Sequence, residues 1–159
     1  MPVGSVTSVV GARGVPDAVL ARCAPPAVDY ADRFTLTTDV VATPEQWART
    51  MFGNVPSAAE QCIWRGVLGF RLSRGRSPAT VGGWRIDGRG EDWIRLRTAS
   101  WFLSAAMLIE TAGGQVCWTT AVHHDRPVAA VVWPPASVVH RRLVPRVLLG
   151  AERRLQARR

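Results

Sequence analysis

Residues 131–145 read VVWPPASVVHRRLVP, and the fold turns on where in this stretch a helix begins. Val131, Val132 and Trp133 have strand character, and Pro134-Pro135 interrupts them. From Ala136 the apolar residues change to a helical period, with Val138, Val139, Leu143, Val147 and Leu148 able to share one broad face. Arg141, Arg142, Arg153 and Arg154 mostly fall elsewhere. The spacing therefore predicts a long C-terminal helix entered through the two prolines, with a kink or restart at Pro145, which lacks a backbone N–H.

Upstream of it the periodicity is that of strands. QVCWTTAVHHD (115–125) sets Val116, Trp118, Thr120 and Val122 against Cys117, Thr119, Ala121 and His123. DWIRLRTAS (92–100) alternates Ile94, Leu96 and Thr98 with Arg95 and Arg97, and WFLSAAMLIETAGG (101–114) is apolar on both faces. VGGWRIDGRG (81–90) ends in an Asp-Gly turn, and the Gly-rich punctuation between these runs argues for antiparallel hairpins. DRFTLTTDVVA (32–42) reads as an earlier strand. Two short helices follow it: TPEQWARTMFG (43–53), with Thr43, Pro44, Gln46 and Gly53 as start and stop signals, and PSAAEQCIWRGVLGF (56–70), capped by Ser57 with Glu60 three residues on. Residues 71–80 are polar and read as a loop. Residues 1–28 show little periodicity beyond a short helix over PDAVLARCA, so they are expected as an irregular N-terminal segment before a single domain over 29–159.

The order implies an α+β fold: an antiparallel sheet, curved to grip a long C-terminal helix laid over it, with two short helices after the first strand. Side chains from a sheet and a helix seldom fill the space between them, so a hollow is expected there. A hollow with a few convergent polar groups is the default ligand site.

The chain has 159 residues, 47% of them hydrophobic and 20% charged, as a soluble single domain requires. Its formal charge is +8, and all 20 basic residues are arginine. Alanine, valine and glycine are also abundant, which fits a GC-rich coding bias and weakens basicity as a functional signal. Seven arginines crowd the end, RRLVPRVLLGAERRLQARR, but no aromatics interleave with them and the helix keeps an apolar face. A solvated face accounts for them better than nucleic-acid contacts or a membrane-surface helix. No apolar run reaches the roughly 18 residues of a membrane span, and Arg13 and Asp17 interrupt any signal-peptide order. Cys23, Cys62 and Cys117 form no CxxC pair and have no His at zinc-ligand spacing, so free buried thiols and a cytoplasmic location are expected. No metal or cofactor is implied.

Three short stretches carry a family resemblance: DYADRF (29–34), ATPEQWARTMF (42–52), and Trp133 followed by His140-Arg141-Arg142 and Pro145. With them the chain resembles, over roughly residues 14–155, the START-like or helix-grip superfamily. That superfamily includes polyketide cyclases and aromatases, lipid-transfer domains and plant pollen-allergen relatives, and the pattern is most similar to an actinobacterial branch of it. The resemblance implies an apolar small-molecule pocket. It carries over no catalytic residues, because a generic helix-grip tail need not hold Trp133-Pro134-Pro135.

The residues themselves supply the candidates. Trp64, Trp84, Trp101, Trp118 and Trp133 can give a pocket flat apolar walls and indole donors, although packing is the simpler role for any one of them. His123 and His140 are candidates because histidine is the residue type whose unperturbed pKa is close to neutral, and solvated-turn and packing roles compete with that reading. Glu110 ends an apolar strand, either exposed or as a cavity carboxylate. Tyr30 is the sole phenol. Arg97, if turned inward, would anchor an anionic or enolate-bearing ligand. No activated nucleophile is marked.

Two functions from different classes follow. One is a cyclase, aromatase or dehydratase working on a hydrophobic polyketide- or terpenoid-like intermediate, with Tyr30, Glu110, His123 and His140 as its acid–base groups. The other is a non-catalytic carrier or sensor of an apolar ligand. Neither needs nucleic acid or an integral membrane, and a homodimer stays open.

Overall fold

A computed structural model describes residues 4–23, 27–53, 62–73 and 75–158. Its seven strands are β1 (Ser5–Val10), β2 (Tyr30–Thr37), β3 (Thr80–Val81), β4 (Trp84–Arg89), β5 (Trp93–Ala99), β6 (Leu103–Ala112) and β7 (Gln115–His124). They form one antiparallel sheet in the order β1-β2-β7-β6-β5-β4-β3. The helices are α1 (Asp17–Cys23), α2 (Pro44–Phe52) and α3 (Ala129–Ala157), with a single π-helical turn over Cys62–Val67. This is an α+β architecture with a long C-terminal helix over an antiparallel sheet.

The sheet has two unlike faces because side chains alternate along each strand. Phe34, Leu36, Ile94, Leu96, Met107, Ile109, Val116, Trp118 and Val122 point to one face and form the main core with α2 and α3. α3 contributes Ala129, Trp133, Ser137, Val144, Leu148 and Ala151, one buried stripe at the 3.6-residue period. On the other face Ala31, Ala106, Leu108 and Ala121 are covered by Val15, Val19 and Cys23 of the α1 region, a second and smaller core. Small side chains on the strands let α1 approach.

Several expectations are revised. Residues 5–10 are not irregular: they pair with β2 from Ser5↔Thr37 to Val10↔Asp32. β1 is an edge strand with little burial, so its sequence carries no face to read. The helix over PDAVLARCA is present as α1. α2 has the predicted capping box between Thr43 and Gln46, and Gly53 ends it at φ 73°, where a side chain would be strained. The second helix expected after β2, with Ser57 and Glu60, lies largely outside the described residues.

Asp87-Gly88 is not a turn. It sits inside β4, where the register with β5 slips between Ile86 and Gly88 as a β-bulge. Gly113-Gly114 does close the β6–β7 hairpin, both residues at positive φ. Trp101 lies in the turn before β6 rather than on a strand.

The largest revision concerns residues 131–145, all of which are helical, because α3 starts at Ala129. Pro134 and Pro135 deprive the carbonyls of Ala130 and Val131 of their helical donors. Both of those residues are exposed, so water can take the place of the missing N–H groups. The first turn is tightened by bonds three residues apart, Ala129 to Arg126 and Ala130 to Pro127. Ser137 Oγ donates to the Pro134 carbonyl at 2.7 Å, holding the helix through the proline pair.

Candidate functional site: a cavity beneath the C-terminal helix

Between α3 and the sheet lies a cavity of about 100 Å³. Its floor is Trp84, Ala105, Met107, Trp118 and Thr120 from the strands, and Phe52, Trp64, Leu68 and Phe70 wall one side. α3 closes it with Trp133, Ala136, Val139, His140, Leu143, Val144 and Val147. Val139 and Leu143 also face solvent, so the mouth opens beside this turn of α3. The walls are aromatic and packed edge to face: Phe52–Trp118 at 4.9 Å, Trp64–Trp84 at 5.5 Å and Phe70–Trp84 at 5.4 Å between ring centroids.

Into this apolar setting the fold brings a polar cluster. Asp32 is fully buried on the inner face of β2, in the same alternation as Phe34 and Leu36. The Tyr30 hydroxyl donates to Asp32 Oδ2 at 2.5 Å, and His140 Nε2 lies 3.1 Å from that same oxygen. The His140 ring stands against Trp118 (5.8 Å) and Trp133 (5.9 Å), and Trp133 meets Tyr30 at 5.1 Å. Burial pushes the Tyr30 pKa well above that of a free phenol. The Asp32 charge and hydrogen bond push it further, while Arg141 pulls it back. Tyr30 is therefore a neutral donor at physiological pH, with Asp32 as its acceptor and the His140 ring close by.

Several buried polar atoms around the cavity have no hydrogen-bond partner: Trp84 Nε1, Trp118 Nε1, Trp133 Nε1, Thr120 Oγ1 and Asp32 Oδ1. Leaving such a group unpaired costs about 1–3 kcal/mol, more if charged, so their gathering in one place calls for an explanation. His140 Nε2, although close to Asp32, does not meet it at a hydrogen-bonding angle. What the arrangement offers chemically is a carboxyl and an imidazole 3.1 Å apart beside an aromatic-walled space.

The structure brings together Tyr30, His140, Trp64, Trp84, Trp118 and Trp133. It does not bring in the others. Glu110 is on the outer face of β6, where Arg22 and Arg33 reach it at 2.9 and 2.8 Å, so it is neither a cavity carboxylate nor a free strand end. His123 is on the outer side of β7, with Nδ1 2.9 Å from Asp29 Oδ2. The His124 backbone N–H, and after it the His123 ring, hold the Asp29 pKa below the ordinary carboxylate value. Arg97 also points outward, pairing with Asp87 and donating to the Cys23 carbonyl at 2.8 Å, so it offers the cavity no anchor. Trp101 is 60% exposed, under the Arg126 guanidinium.

Asp32, Thr120 and Arg141 were not singled out from the sequence. For Asp32 the signal existed: counting back by twos from Leu36 and Phe34 reaches Asp32 and then Tyr30, which puts a carboxylate on the apolar side of the strand. Thr120 falls on the Trp118 side of β7 by the same count. Cys23 and Cys117 are buried free thiols, and burial pushes Cys23 up to about 11. Among the described residues no group of three or more His, Cys, Asp or Glu side chains could hold a metal ion, and no helix is long and apolar enough to cross a membrane.

No protein-family model and no curated protein matches the chain. Among solved structures, CalU16 from Micromonospora echinospora aligns with 96% of this chain and 95% of its own, at 8% identity and a TM-score of 0.33. A likeness of that size carries no argument about activity.

Proposed function

We propose that the protein binds a small hydrophobic molecule beneath α3 and acts on it by proton transfer, as a cyclase-, aromatase- or dehydratase-type enzyme of the helix-grip kind. The observation that carries this reading is the fully buried Asp32 carboxylate 3.1 Å from a ring nitrogen of His140, whose ring borders the cavity. A carboxylate sunk in an apolar core is costly, and orienting an imidazole toward a reacting group is a use that repays it. Asp32 sits beside the histidine, Tyr30 fixes Asp32, and His140 is the group that exchanges a proton with the guest. Water exclusion by the tryptophan walls strengthens each of these contacts.

The cavity volume limits the substrate. Ligand pockets usually run to about 300–1,000 Å³, and an engineered hole of about 150 Å³ holds benzene. A space of about 100 Å³ takes one small ring or the end of a longer molecule, with the remainder emerging past Val139 and Leu143. A whole polyketide-like intermediate does not fit inside. The same small volume favours the second reading, a carrier or sensor that shelters an apolar group and performs no chemistry.

Native mass spectrometry of freshly purified protein, followed by return of the extracted ligand to apoprotein, separates these readings. An enzyme changes the ligand's mass by loss of water, or its retention time at constant mass, and His140→Ala binds it without changing it. A carrier returns it unaltered. Absence of any retained or bound small molecule ends both.

A further inference from the structure

Residues that line the cavity carry unpartnered polar atoms, and these bear on what kind of guest it takes. Thr120, Trp84, Trp118 and Trp133 are each at least nine-tenths buried, and each has a side-chain N–H or O–H group with no partner in the protein. Three of the four are donors only, since an indole N–H cannot accept. A hydrocarbon guest would leave all of them unsatisfied. A guest with oxygen atoms would supply the missing acceptors, and Thr120 can either donate to it or accept from it.

Charge narrows the class further. Asp32 stands behind His140 with Oδ1 unpaired, so an anionic guest would bring further acceptors toward a carboxyl oxygen that already lacks a donor. A cation would be drawn to Asp32 but would face the positive ends of the indole N–H dipoles and the His140 ring. The geometry points to an uncharged, oxygen-bearing guest the size of one small ring, with Thr120 and the indoles of Trp84, Trp118 and Trp133 reading its oxygen. This rests on the reading of the cavity as a ligand site and adds its specificity.

The test uses the full chain and four probes of one shape: cyclopentane, cyclopentanone, cyclopentylammonium and cyclopentanecarboxylate. Indole N–H resonances are followed by NMR and assigned by single Trp→Phe changes. Cyclopentanone is expected to move the resonances of one or more of Trp84, Trp118 and Trp133 downfield, and cyclopentane to leave them in place. Thr120→Val keeps the side-chain shape and removes one hydroxyl. It is expected to lower the ratio of ketone to hydrocarbon affinity about threefold to tenfold, the worth of one hydrogen bond. Trp133→Phe should act in the same direction and serves if the first variant does not fold.

Binding of both uncharged probes with no indole shift, or with a ratio unchanged in the folded variants, overturns the inference and spares the ligand site. Preferential binding of the ammonium or the carboxylate also overturns it. Failure of every probe to bind, leaving a cavity that holds water alone, removes the inference and the ligand site together.

Discussion

The two faces of the sheet treat their polar side chains in opposite ways. On the outer face the guanidiniums of Arg22, Arg33, Arg95 and Arg97 each meet a carboxylate, Glu110 or Asp87, in partial contact with solvent. On the inner face Asp32, Thr120 and three indoles are buried among aromatic rings with valences left open. A satisfied network at a wet face is a structural device of modest worth. Open valences in a buried one carry an unmet cost. Polar residues therefore mark the site here by their unmet bonds and not by their number.

The sharpest way to break this contrast is Asp32→Ala. It strips Tyr30 of its acceptor and His140 of its neighbouring carboxyl inside the core and should cost about 1–3 kcal/mol in urea unfolding. Glu110→Ala on the outer face should cost about 1 kcal/mol, because Arg22 is half in water. Equal losses would abolish the distinction. Trp133→Ala, which enlarges the cavity, should cost about 3–5 kcal/mol unless α3 settles into the space.

Thr120→Val sharpens the contrast from the other side. Removing an unpaired hydroxyl at constant shape should leave stability unchanged or raise it by up to about 1 kcal/mol, and a clear loss would mean that the hydroxyl already has a partner.

The smallest effect is alkaline. Tyr30 and Cys23 have folded pKa values raised above their unfolded ones, 10.0 and 9.0. Their contribution is complete below those values and is lost as pH rises through them, since the unfolded chain ionises first. Stability should therefore decline from about pH 9 upward, and Tyr30→Phe should flatten the part above pH 10. An unaltered profile in that variant would place the phenol in water.

How much of this was legible in the sequence depends on which rule governed each segment. Where one strand face is buried, alternation is unambiguous, and β5 presents the face its sequence announces. Where neither face is buried, as in β1, there is no pattern to read. Pro134-Pro135 looks like a stop because a proline costs a helix one hydrogen bond, but the cost falls on carbonyls already turned to water. Asp-Gly at 87–88 looks like a turn because both residues favour one, and a bulge uses the same freedom. Of the site, the tryptophans, Tyr30 and His140 could be found by residue type. Asp32 could be found only by carrying the period of β2 back two residues past Phe34, where its apolar run ends. Glu110, His123 and Arg97 misled because residue type does not report which face a strand position takes when both faces are covered.

The strand order also dictates when the site can come into being. β4 to β7 form a meander of neighbours in sequence, whereas β2 lies against β7, with Thr35 and Cys117 in contact 82 positions apart. On the ribosome Tyr30 and Asp32 emerge long before the strand that will hold them, and His140 emerges later still. The Asp32–His140 pair is thus assembled from the early and late parts of the nascent chain, so a chain halted before α3 would have every strand of its sheet and only one member of the pair.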